Sequence, residues 1–224
     1  MRILASADVH GSQPVYEWLL SVARERGVDA IVLAGDLFGC LDGFDTPEDA
    51  QRHEASLLTD VLEGTGLPVL YIMGNDDLVE LNPGAGRVQS IHGREVRCGR
   101  FRFVGYQYSL PFMGGTFEKP DTDIRIDLAD LPCLGLETVF VSHSPAMGIL
   151  DPGFGGVHIG SSALREFLDA NPFRAHIHGH SHAGFGRQGN HFNVASAARM
   201  RSMIIDLETL GHQVVELGQT RLEA

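Results

Sequence analysis

Three times in its first third the chain repeats one event: a short apolar run stops in a polar turn that contains glycine. The pattern predicts buried strands at Arg2–Ala7, Ala30–Ala34 and Pro68–Met73, ended by Asp8-Val9-His10-Gly11, Gly35-Asp36 and Gly74-Asn75-Asp76-Asp77. Two amphipathic helices are predicted between them. Pro14–Arg26 sets Val15, Trp18, Leu19 and Val22 on one face and stops at Gly27, and Thr46–Leu62 is entered through Asp45-Thr46-Pro47 as cap and first turn. Such strand–helix–strand alternation implies a largely parallel sheet, because a parallel neighbour is reached only by carrying the chain back across one face. An α/β fold follows.

The middle of the chain changes character. Val88–His92, Arg94–Cys98 and Phe101–Tyr106 are short strand-like pieces separated by glycine and predict an antiparallel excursion. Gln107–Asp123, rich in Gly and Pro, reads as a long surface loop of the kind that carries substrate contacts. Its Phe112, Met113 and Phe117 pack on a substrate base, on a partner subunit, or simply as an apolar anchor. Thr138–Val141 and Ala175–Ile177 read as further buried strands flanking the helix Ser161–Asn171, and Phe192–Ala195 as another strand. Met200–Asp206 and Gln213–Leu217, around Leu210-Gly211, read as a hairpin closing a second sheet. With no repeat or linker, a single domain over 1–224 is expected, long enough to bury roughly 70% of its unfolded surface without staples.

Composition narrows the function. A net charge of −12 argues against a nucleic-acid polymer as partner, since such surfaces carry a basic stripe. Cys40, Cys98 and Cys133 are scattered and odd in number, which reads as reduced thiols. Neither a signal peptide nor an apolar run of membrane-spanning length is visible, so a cytoplasmic protein with no membrane partner is expected. Oligomeric state is open, a homodimer included.

The chemistry sits in the turns. Ligands of open α/β sheets gather at the carboxyl ends of the strands, so these turns are expected to converge. Asp8 and His10, two apart on a segment taken as extended, point to one side. Asp36 follows the second strand, Asn75 the third, His143 the strand Thr138–Val141, and His180-Ser181-His182 the strand Ala175–Ile177. Five strand ends thus deliver seven oxygen- or nitrogen-bearing groups to one rim. Two divalent metals about 3.5–4 Å apart need about that many ligands with one carboxylate shared, and would generate a hydroxide nucleophile near neutral pH. A mixed imidazole and carboxylate set suits Mn, Fe, Zn or Ni better than Ca or Mg. His178 is assigned a packed or supporting role. His53, His92, His191 and His212 go to surface or core, His158 could reach substrate, Asn193 and Ser196 help shape the rim, and Cys40 is a small packing residue.

Asp8-Val9-His10, Gly35-Asp36, Gly74-Asn75, Ser142-His143 and Gly179-His180-Ser181-His182, in that order, resemble the motif series of the calcineurin-like metallophosphoesterase superfamily. The stretch from Ser142-His143-Ser144-Pro145 through Val157-His158-Ile159-Gly160 to Ala163-Leu164-Arg165 looks like the Icc-related phosphoesterases. The resemblance implies a four-layer α/β/β/α sandwich of two mixed sheets flanked by helices. It implies one metal on Asp8, His10, Asp36 and His182 and another on Asp36, Asn75, His143 and His180. Asp36, Asn75 and Asp76 become the residues of catalysis.

One position departs from that series. The family usually has Gly-Asn-His where this chain has Gly74-Asn75-Asp76, so the imidazole that assists the leaving oxygen is missing. The adjacent Asp77 is expected to raise the Asp76 pKa and the two cations to lower it, with the cations winning. The expected function is hydrolysis of a small phosphodiester or phosphomonoester, a nucleotide included, with diesters favoured and manganese the first choice of metal. The alternative is a catalytically weak metal-binding protein that recognises a phosphorylated ligand or a protein partner.

Overall fold

The computed structural model describes residues 1–82 and 86–217; the last residues of the single domain expected over 1–224 lie outside that set. The first half runs β1 (Arg2–Ser6), α1 (Gln13–Arg26), β2 (Ala30–Ala34), α2 (Pro47–Glu63), β3 (Val69–Ile72) and β4 (Val88–Ser90). After β5 (Glu95–Cys98) and β6 (Phe101–Tyr106) come α3 (Asp121–Ala129), β7 (Thr138–Ser142), α4 (Ser162–Ala170), β8 (Ala175–His178), β9 (Gly186–Gln188), β10 (His191–Asn193), β11 (Arg201–Asp206) and β12 (His212–Glu216). Local chemistry sets the helix ends. Gly27 takes the left-handed conformation that stops α1, with its N–H on the last carbonyls. Thr46 caps α2 by accepting from Asp49 N at 3.1 Å, and Ser161 caps α4 by accepting from Leu164 N at 3.0 Å.

The strands form two mixed six-stranded sheets, ordered β12-β11-β1-β2-β3-β4 and β5-β6-β7-β8-β10-β9. Alternation along each strand builds the layers. Ile3, Ala5, Val32, Ala34, Leu70 and Ile72 of the first sheet meet Phe101, Phe103, Val141, Ile177 and Phe192 of the second in one buried cluster. Small and large side chains alternate on these inner faces, and every one of them is buried, as close packing requires. The opposite faces bury Leu4, Leu33 and Tyr71 against α1 and α2, and Val104, Tyr106 and Phe140 against α3 and α4. The result is the four-layer α/β/β/α sandwich.

Three expectations change. The terminal hairpin β11–β12 joins the first sheet through β11 against β1, not a second one; local sequence states that two strands pair but not which edge receives them. The middle strands are only partly antiparallel: β5 and β6 form a hairpin, while β4 lies parallel to β3 and β6 parallel to β7. The loop after β6 ends at Pro120, where α3 begins. That helix leaves no clear period in the sequence, because only Ile124 and Leu128 are buried on it while Ile126 is exposed, so its apolar face is one residue wide.

Candidate metal centre

Parallel pairing aligns the strand ends that matter. Ser6 is opposite Leu33, Ala34 opposite Ile72, and Ser142 opposite His178, so β1, β2, β3, β7 and β8 all finish at one edge. The turns then interlock. Asp8 N donates to Gly35 O at 3.0 Å, Val9 N and His10 N to Asp36 O at 2.9 and 3.1 Å, and His180 N to the Asp8 carboxylate at 3.2 Å. Gly179 permits the last of these approaches, since a Cβ there would sit 2.6 Å from Ala7 Cβ and 2.8 Å from Asp8 Oδ2. Asp8, His10, Asp36 and His180 all hold left-handed backbone, with φ of 57°, 50°, 52° and 65°. For residues other than glycine this costs on the order of 1–3 kcal/mol each and persists where the surroundings enforce it. Asp8 and His10 therefore share a side through a strained turn, not through strand alternation as expected.

The structure brings the seven groups together. Donor atoms of Asp8, His10 and His182 lie within 4.8 Å of one another, as do those of Asp8, Asp36 and His143, and those of His10, Asp36 and Asp76. His182 Nε2 is 3.1 Å from Asp8 Oδ1, and the His180 and His143 rings are 5.1 Å apart. His143 Nδ1 donates to Ala34 O at 2.9 Å, which turns Nε2 toward Asn75 Oδ1 at 2.9 Å and Asp36 Oδ2 at 3.3 Å. A neutral Nε2 lone pair facing two oxygens is repulsive, so a cation belongs between them. In the protein alone a proton serves: burial opposes it, but the Asp36 charge raises His143 to about 10. Asp36, although burial pushes it up, is held at about 2 by His143. Burial lowers His180 to about 4, leaving a neutral imidazole free to ligate. This donor set fits divalent metal ions of the imidazole-and-carboxylate class.

Residues that the sequence did not single out hold the turns. Asp77 is fully buried and accepts from Leu37 N, Phe38 N and Gly74 N at 2.8, 2.9 and 2.8 Å, tying the Asp36 turn to the Asn75 turn. Gln51 donates to Asp76 O and accepts from Leu78 N. Arg201 donates to His182 O at 2.8 Å. Gln51 and Glu54 on the otherwise apolar face of α2 were the visible signal, because polar groups there must find partners in the fold. Asp77 is not what raises Asp76, contrary to expectation: half-burial does so first, and Asp36 second.

His178 is buried and stacked on His176 at 5.0 Å, a packed role. His158 binds Asp151 at 2.8 Å, and its ring does not line the cavity over the cluster. Asn193 donates to Ser181 O at 2.8 Å and so supports the rim, whereas Cys40 is exposed and not the packing residue expected. Phe117 is a buried anchor, while Phe112 and Met113 are exposed and line the cavity. That cavity, about 450 Å³, also takes in Asp36, Asn75, Asp76, His180, His182 and Arg199.

Burial of so many imidazoles makes the metal-free protein acid-sensitive. Burial lowers His176 far, His178 to about 3, and His180 and His191 to about 4. The unfolded chain binds those protons below about pH 6.5, so stability falls with each step down toward pH 4. The raised carboxyls of Asp77 and Glu54 act in the opposite sense and remove part of the slope. Above pH 6.5 the raised His143 and His182 reverse the sign, and stability declines toward pH 10. Thermal melts in chelator should therefore peak near pH 6.5; a midpoint unchanged between pH 7 and pH 5 would refute this.

A family model described as calcineurin-like phosphoesterase matches residues 1–184. A UDP-2,3-diacylglucosamine hydrolase of Stenotrophomonas maltophilia is 38% identical over 84 residues, 35% of this chain and 34% of the relative, so the match spans about a third of that protein. Among solved structures, TT1561 of Thermus thermophilus superposes with a TM-score of 0.69 at 16% identity, covering 96% of this chain and 98% of that one. A dimetal phosphatase from Danio rerio gives 0.59 at 12%, covering 96% and 98%. At such identities these two likenesses speak for the fold.

Proposed function

The chain belongs to the calcineurin-like phosphoesterase family, and on that footing we propose that it is a dinuclear metal-dependent phosphohydrolase, favouring small phosphodiesters over monoesters. Asp8, His10, Asp36 and His182 hold one ion, and Asp36, Asn75, His143 and His180 the other, manganese being the first choice and Fe, Zn or Ni the alternatives. The observation that carries this is the position of Asp36, whose carboxylate shares a cluster with Asp8 and His143 and another with His10 and Asp76. When bound, the ions supply the Lewis acidity that activates water and neutralises phosphate oxygens.

The chain's own groups do the rest. Asn75 Nδ2 donates to Asp76 Oδ1 at 2.7 Å, which fixes the amide so that Oδ1 faces the His143 side. His143 keeps its orientation through the Ala34 carbonyl, as ligating imidazoles commonly do through their second nitrogen. Arg199, on the cavity wall, offers a cation to a phosphate oxygen. Cytoplasmic work belongs to the same reading, supported by three free, scattered thiols.

The second reading, a feeble metal-binding protein that recognises a phosphorylated ligand or protein partner, draws on Asp76. The relative from Stenotrophomonas maltophilia is itself named a hydrolase, which favours turnover. The test is turnover of bis(p-nitrophenyl) phosphate by protein stripped with chelator and then titrated with manganese. Activity should vanish on stripping and return at about two ions per chain. Turnover that survives stripping rejects metal dependence, and a fully loaded protein inert on both mono- and diesters leaves the second reading.

A further inference from the structure

The wall above the ligand cluster is apolar beyond what hydrolysis requires. Phe112 and Met113 are 69% and 78% exposed and Phe154 is wholly exposed, yet all three line the cavity that holds His10, Asp36 and His180. They come from separate loops, one after β6 and one before α4. Phe112 also meets the His180 ring edge-on, with centroids 6.1 Å apart.

The backbone of both loops is tied down by hydrogen bonds. Glu118 accepts from Phe112 N, Met113 N and Gly114 N at 2.8, 2.9 and 2.8 Å, folding the first tip around one carboxylate. The second is closed by Gly153 N to Val157 O at 2.7 Å, and the buried Asp151 carboxylate at its base accepts from Gly148 N and Gly160 N at 3.0 and 3.2 Å. Large apolar side chains exposed on ordered backbone beside a polar centre are the usual mark of a binding surface.

The remaining lining decides what binds. Pro152, Ile159 and Ala183 add further apolar surface, and the Ser181 hydroxyl is committed to Pro152 O at 2.7 Å. Apart from the ligand cluster with Asp76, and Arg199, no side chain on this wall among the described residues is free to read the edge of a base or the hydroxyls of a sugar. We infer that the site selects phosphoesters whose retained group is bulky and apolar, an alkyl chain or aryl ring, over those of a sugar or nucleoside. The inference rests on the cluster being the phosphoester site proposed above.

Binding and turnover test it separately. On manganese-loaded protein, octyl phosphate should bind at least about tenfold more tightly than methyl phosphate by calorimetry, a modest share of what full burial of the chain would give. Alkyl p-nitrophenyl phosphates hold the leaving group constant, and kcat/KM should rise by a similar factor from methyl to octyl through KM. The thymidine 5′-ester of the same leaving group should fall below the octyl ester. The double variant Phe112→Ser/Phe154→Ser should close the octyl–methyl gap in binding, with native circular dichroism and an unchanged thermal midpoint as its folding control. Leu136→Ser, 74% exposed and outside the cavity, should keep the gap. Equal binding of octyl and methyl phosphate, or preference for the thymidine ester, overturns the inference. An intact octyl preference without turnover of any ester would remove the catalytic reading and retain this one.

Discussion

Asp36→Asn is expected to lower kcat/KM for aryl phosphodiesters by roughly 10³-fold, in the range seen when a preorganised electrostatic group is lost from an active site. The amide keeps the shape and can still accept from Asp76 N, which the native Oδ1 does at 2.9 Å. It cannot supply the negative charge that the two ions of the proposed centre would share. The loss also reaches His143, whose hold on a proton is opposed by burial and raised chiefly by the Asp36 charge. Elemental analysis should then find fewer than two ions per chain, while circular dichroism stays native. A variant that retains both ions and full activity would end the assignment of Asp36 as the shared ligand.

The second large effect concerns the leaving group. A histidine at position 76 would offer a proton to the departing oxygen, and such help is typically worth about 10²–10⁴-fold. Asp76 is arranged to accept instead. Its Oδ1 takes the Asn75 amide at 2.7 Å and its Oδ2 faces His10 Nδ1 at 3.5 Å. Burial and Asp36 raise its pKa in the protein alone, but the two divalent charges of the proposed centre would act the other way and outweigh one carboxylate. Rates across a series of aryl phosphates should therefore fall steeply as the leaving-group pKa rises. Asp76→His should recover activity on poor leaving groups while changing good ones little. A flat dependence in the native protein would show that a proton is delivered from elsewhere.

How much of this could be read beforehand differs by element. The helices α1 and α2 lay within a residue or so of their expected bounds because each carries both a cap and a continuous apolar face. Helix α3 did not, since its buried side is too narrow to register as a period. The seven clustered groups were legible because each follows an apolar strand, and strand ends in parallel sheets are brought level by pairing. Asp77 and Arg201 were not, because they act through backbone atoms of other turns, and a hydrogen bond to the main chain leaves no requirement on the partner's side chain; Gln51 showed only as a polar residue on an apolar helix face.

The amino-acid order alone determined that strands alternate with helices and that acids, amides and imidazoles stand at the strand ends, because periodicity and turn chemistry are local properties. Only the folded molecule decided which sheet the last hairpin joins, that Asp8 and His10 converge through left-handed turns, and that Phe112 and Phe154 share one cavity. Those outcomes depend on packing between segments far apart in the chain, where the free energy belongs to the contact and not to either segment by itself.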